Sequence, residues 1–104
     1  MSLTTQELAR TRSELRANFE LTGLTAAEVA ADLGYTPERL DATLGTTGPS
    51  DPVDVWELRD YLEQTVRDAG RTPVPFSTLT RGNKLRARMW FPLRRAPRHV
   101  FAAA

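Results

Sequence analysis

The chain has 104 residues with 14 basic and 13 acidic side chains and no cysteine, which bounds it to one domain with a modest core and excludes a disulfide framework, a thiolate nucleophile and a Cys-type zinc site. The net charge of +1 conceals a division: residues 1–70 hold all thirteen acids against six arginines, a net of −7, whereas residues 71–104 hold eight basic side chains and no acid, a net of +8. Such a split points either to a match between the two halves or to a basic segment offered to a polyanion.

The first helix announces itself in Thr4 and Glu7, a Thr-x-x-Glu capping box flanked by Leu3 and Leu8 at the hydrophobic-staple positions. Leu8, Leu15 and Phe19 recur at near-helical spacing and Gly23 is the natural stop, which predicts a helix over about 5–21. The signature returns in Thr25 and Glu28, with Leu24 and Val29 as the staple, and predicts a second helix over about 26–33. Gly34 supplies the left-handed conformation of a sharp turn, and Thr36-Pro37 restarts a helix over about 37–44 with proline at its first position. Val29, Ala30, Leu33, Leu40 and Leu44 form the inward face, and the short Gly34-Tyr35 break makes the two helices cross steeply, as in a helix-turn-helix.

TTGPSDP at 46–52 reads as a polar loop closed by Asp51 as cap and Pro52 as the first residue of the longest helix, along which Val55, Leu58, Leu62, Val66 and Ala69 make the apolar stripe and Gly70 the end. The prolines of TPVPFSTL favour an extended segment, and RGN at 81–83 reads as a turn. In LRARMWF, Leu85, Ala87, Met89 and Phe91 alternate with Arg86, Arg88 and Trp90, the period of a half-buried strand; a short helix over 84–90 also places Leu85 beside Met89. Residues 92–104 lack periodicity and are expected to form a loosely held basic tail. The expected fold is therefore mainly α: a four-helix domain over 1–93 containing a helix-turn-helix, with a C-terminal extended segment or β-hairpin, followed by a tail over 94–104.

The pairs Asn18-Phe19 and Trp90-Phe91, the run Gly23-Leu24-Thr25, the helix-four segment Trp56-x-x-Arg59-Asp60-Tyr61-Leu62 and the stretch Pro75-Phe76-Ser77-x-Leu79 together resemble a bacterial family known as domain of unknown function 2316. The resemblance covers roughly residues 3–93, and the Trp-x-x-Arg-Asp-Tyr-Leu run is its most specific element. It implies a small, mostly helical bacterial domain and brings no activity or active-site residues with it, so function has to be argued from the side chains.

In a helix-turn-helix protein the early exposed residues of the second helix meet base edges. Here Arg39 is placed to take guanine, and Thr36 and Thr43 to touch a phosphate or a thymine methyl. Glu28, Asp32, Glu38 and Asp41 outweigh that single arginine, an adverse balance for a surface approaching phosphates. The phosphate grip therefore falls to the C-terminal third, with Arg81, Lys84, Arg86 and Arg88 as its candidates. The reading favoured is non-enzymatic binding of duplex DNA by a small bacterial regulator. The alternative is a protein-interaction domain that uses the helix-turn-helix only as architecture, its basic third docked on its own acids or on an acidic partner. Pairing of Arg86 and Arg88 with Glu28, Asp32, Glu38 or Asp41 favours the second reading; unpaired arginines flanking the third helix favour the first.

The remaining features carry less. His99, alone in the tail, has no converging partners for metal or acid-base work, and Glu57, Asp60 and Glu63 are most simply a solvated edge of helix four. No phosphate loop, nucleophile elbow or metal motif is present, so no enzyme and no cofactor are expected. Trp56 and Tyr61 are expected to widen the core, with a homodimer contact through them or Trp90 as the sharper alternative. The chain has no apolar run near the roughly 20 residues that span a bilayer and no signal peptide in MSLTTQELAR, so a cytoplasmic protein without a membrane partner is expected.

Overall fold

Five helices are found in the computed structural model, which describes residues 4–45 and 51–101. They are α1 (Thr5–Thr22), α2 (Ala26–Leu33), α3 (Pro37–Gly45), α4 (Pro52–Asp68) and α5 (Arg81–Arg88), and no strand occurs among the described residues. Both capping boxes form, with Thr4 and Glu7 starting α1 and Thr25 and Glu28 starting α2. Gly34 closes α2 at φ 73°, a conformation any Cβ would strain, and its N–H reaches back to the Ala30 and Ala31 carbonyls. Asp51 caps α4 by accepting from the Val53 N–H. Leu3 of the expected staple and residues 46–50 of the expected loop lie outside the described residues.

Helix α4 is the axis of the fold. Trp56, Leu58, Tyr61, Leu62 and Val66 are buried, and so are Asp54, Glu57 and Arg59, so the helix is covered on most of its circumference rather than along one stripe. Helix α1 lies on it through Thr11, Leu15, Asn18 and Thr22, an i, i+4, i+7, i+11 row that is mostly polar. The α2–α3 pair adds Val29, Ala30, Tyr35, Leu40 and Leu44 to the same core.

The extended expectation after Gly70 holds, and Asn18 explains how the segment is fixed: its Nδ2 donates to the Val74 carbonyl at 3.0 Å while its Oδ1 accepts from the Val74 N–H at 2.9 Å. A buried side-chain amide thus does for Val74 what a neighbouring strand would do. Glu14 takes the Ser77 N–H and hydroxyl, and Phe76 and Leu79 enter the core.

The expected β-hairpin does not form. Val74, already satisfied by Asn18, offers no free backbone edge, and Thr80 caps a helix by accepting from the Asn83 N–H, so Arg81-Gly82-Asn83 is the first turn of α5 instead of a reverse turn. The alternation that suggested a strand runs through a helix whose inner side is Ala87, packed on the core, while Leu85 and Met89 remain exposed. Residues 93–101 also depart from expectation. They form a strap along α4: Arg94 pairs with Asp54 and Glu57, Gln64 donates to the Pro97 carbonyl, Arg98 forks onto Asp68 at 2.7 and 2.9 Å, and the His99 ring meets Asp32.

Candidate nucleic-acid interface

The residues expected to read bases are turned to other tasks. Thr36 spends its hydroxyl on the Arg39 N–H as the start of α3. Thr43 is buried beside Leu40 and Leu44, and its hydroxyl donates to the Arg39 carbonyl at 2.7 Å, which corrects the expectation that it faces outward. Arg39 turns toward α4, where Nε and Nη2 both reach the Asp54 carboxylate at 2.7 Å and the guanidinium lies 4.0 Å from the Tyr35 ring centre. A forked, stacked arginine of this kind is fixed in geometry rather than available to guanine.

Asp54 is the centre of a charged cluster. The hydrogen bonds from Arg39 hold its carboxyl below the usual aspartate range, against the opposing effect of burial, and Arg94 from the strap lowers it further. Burial and the bond it donates to Glu57 push the Tyr35 phenol up, so it stays protonated. Glu57, Asp60 and Glu63 are therefore no plain solvated edge: Glu57 is buried under Tyr35 and Arg94, while Asp60 and Glu63 hold Arg59, which also donates to the Leu79 carbonyl and lies over Phe76.

On α5 the four expected phosphate contacts divide. Lys84 is half-buried and paired with Asp60. Arg81, Arg86 and Arg88 are exposed, and their side chains have no acidic partner among the described residues. They do not neutralise Glu28, Asp32, Glu38 or Asp41. Arg81, Lys84, Leu85 and Arg88 stand at i, i+3, i+4 and i+7, so one face of α5 forms the wall of a cleft of about 710 Å³. Arg59, Asp60, Glu63 and Gln64 of α4 make the second wall and residues 93–96 of the strap the third. Arg94 and Arg95, at that third wall, were not among the expected site residues; their lack of periodicity hid them, although they belong to the same acid-free basic run.

The aromatics also separate. Trp56 and Tyr61 are core residues, and the Tyr61 hydroxyl donates to Asp32. Trp90 and Met89 are exposed at 79% and 81% just beyond α5. No cluster of three or more metal-ligating side chains is gathered among the described residues, and none of the described helices is long and apolar enough to cross a membrane.

Residues 1–92 match the model of the family described as "Uncharacterized protein conserved in bacteria (DUF2316)", and the chain belongs to that family. The match ends immediately before the strap. No curated protein and no solved structure matches the chain.

Proposed function

We propose that this member of an uncharacterised bacterial family is a non-enzymatic, cytoplasmic DNA-binding protein, a small regulator that grips duplex phosphates with α5 and uses its helix-turn-helix as scaffold. The observation that carries the reading is the set of exposed arginines without acidic partners, Arg81, Arg86 and Arg88, on a helix that carries no acid. Arg95 on the strap extends the set. Because α3 presents Glu38 and Asp41 and has its arginine locked on Asp54, binding through α5 would be chiefly electrostatic and weak in sequence preference.

The test is fluorescence anisotropy of a labelled mixed-sequence duplex at low and physiological salt. Each phosphate contact contributes roughly 0.9 to the salt slope, so Arg86→Ala with Arg88→Ala should flatten it by about 2 and weaken binding at least about tenfold. Arg39→Ala should leave the slope unchanged. An absence of salt-sensitive binding at low salt overturns the reading.

A second reading rests on a different observation. Leu85, Met89 and Trp90 are exposed at 65%, 81% and 79% in and directly after the helix that carries the free arginines, and Met and Trp are enriched in protein interfaces. In this reading the protein is an interaction module or homodimer built through Trp90. Sedimentation equilibrium of the full chain and of Trp90→Ser distinguishes them: a dimer lost in the variant, with no duplex binding by either, selects the interaction module.

A further inference from the structure

The cleft between α4, α5 and the strap has properties that a DNA-facing surface does not need. Its volume, about 710 Å³, lies in the range of small-molecule sites, which run from about 300 to 1,000 Å³. It is walled on three sides by different parts of the chain.

Its charge is arranged in two layers. Arg59 and Lys84 are neutralised by Asp60 and Glu63, and Arg94 by Asp54 and Glu57. Arg81 and Arg88 from α5 and Arg95 from the strap are left over, three arginines from two elements lining one cleft with no acid to answer them. Like charges held around a concave surface repel one another and raise the local potential, so the arrangement favours a compact ligand with three or four negative charges. Guanidinium forks match the paired oxygens of phosphate groups. A divalent cation is disfavoured, because both acids of the lining are already paired and the balance is positive. A purely apolar ligand is disfavoured as well, since only Leu85, Leu93 and Ala96 of the lining side chains are apolar and such a ligand would desolvate the unanswered arginines without pairing them.

We infer that this cleft is a binding site for a small oligophosphate, a molecule carrying two or three linked phosphate groups, held by Arg81, Arg88 and Arg95. Lys84 stays on Asp60 as part of the wall. The site requires residues 93–96, which lie beyond the span shared with the family, so the oligophosphate site belongs to this chain's strap and α5 together. The inference goes beyond DNA binding and does not depend on it, because it is measured on the protein alone.

The experiment is isothermal titration calorimetry of the full chain with inorganic triphosphate, with citrate as a non-phosphate anion of similar charge. One triphosphate should bind per chain. Arg81→Ala with Arg95→Ala, which removes one guanidinium from each of two walls, should weaken it at least tenfold, about 1.4 kcal/mol. Arg86→Ala, outside the cleft, should leave it within twofold. Both arginine sites are exposed and free of structural partners, and a thermal melt confirms that the variants fold. No heat at millimolar triphosphate, equal losses from Arg86→Ala and the cleft variant, or citrate binding as tightly as triphosphate each overturn the inference. Triphosphate binding by a chain that ignores duplex DNA sustains the cleft and ends the DNA reading, so the two fail separately.

Discussion

Helices α1 to α4 and the chain after Gly70 are held by different physics. The first region closes on fully buried side chains, among them Leu15, Val29, Leu58, Tyr61, Leu62 and Val66. The second contributes only Phe76 and Leu79 to the core, has no buried residue in α5, and is fastened mainly by discrete polar anchors: Asn18 to Val74, Glu14 to Ser77, Asp60 to Lys84, and Asp54 and Asp68 to the strap. Apolar burial is cooperative and little affected by moderate salt, whereas ion pairs with an exposed member, as at Asp68 and the arginine side of Asp54, are individually weaker and partly screened. The molecule therefore has a core that unfolds as one unit and an outer layer that can be loosened piecemeal.

Leu62→Ala tests that contrast with the largest expected effect. It should cost about 2 to 5 kcal/mol in chemical denaturation, from lost transfer energy and the cavity left behind, and should lower the midpoint for both regions together. Asp54→Asn comes next. Asp54 is buried but its arginine partners are 41% and 45% exposed, so the loss is expected at about 1 to 3 kcal/mol, below that of a fully buried pair.

The same residue gives a pH test. The Arg39 hydrogen bonds hold its folded pKa below the unfolded one, so its stabilising contribution is complete above about pH 4 and disappears as pH falls through the folded value. The wild-type and Asp54→Asn stability curves should converge in acid; curves that stay parallel down to pH 2 would remove Asp54 from its central role.

Thr11→Val should act in the opposite direction. The Thr11 hydroxyl is fully buried without a hydrogen-bond partner among the described residues, and replacing it by a methyl should raise stability by about 1 kcal/mol. The smallest effect is expected at the strap's outer end. Asp68→Asn removes the carboxylate that Arg98 holds below the usual aspartate range and that in turn raises Arg98, yet it should leave the denaturation midpoint unchanged and only speed hydrogen exchange after Pro97. A midpoint shift as large as that of Leu62→Ala would erase the distinction between the two regions.

The same distinction explains how far the sequence could be read. Capping boxes, Pro37 and Pro52 at first helical positions and the glycines after α1 and α2 are local signals, and they set the bounds of four helices within a residue or two. The fate of Arg39 was not local: its partner is fifteen residues away on another helix. Thr43 was legible after all, since i+3 from Leu40 places it on the inner face of α3. The strand reading of 85–91 failed because alternation marks a strand only where a partner edge exists, and Asn18 had taken the nearest one. The strap escaped periodicity altogether, because a segment held by single arginines and a histidine needs no repeat; the unmatched acids of α4 were the available clue.

The strap also decides which acids of α4 keep a partner. Without residues 93–101, Asp54 would keep Arg39 but lose Arg94, Glu57 would lose its arginine, and Asp68 would lose the Arg98 fork. A chain cut before the strap would therefore turn an acidic α4 toward its surroundings and favour basic partners, the reverse of the intact molecule's preference.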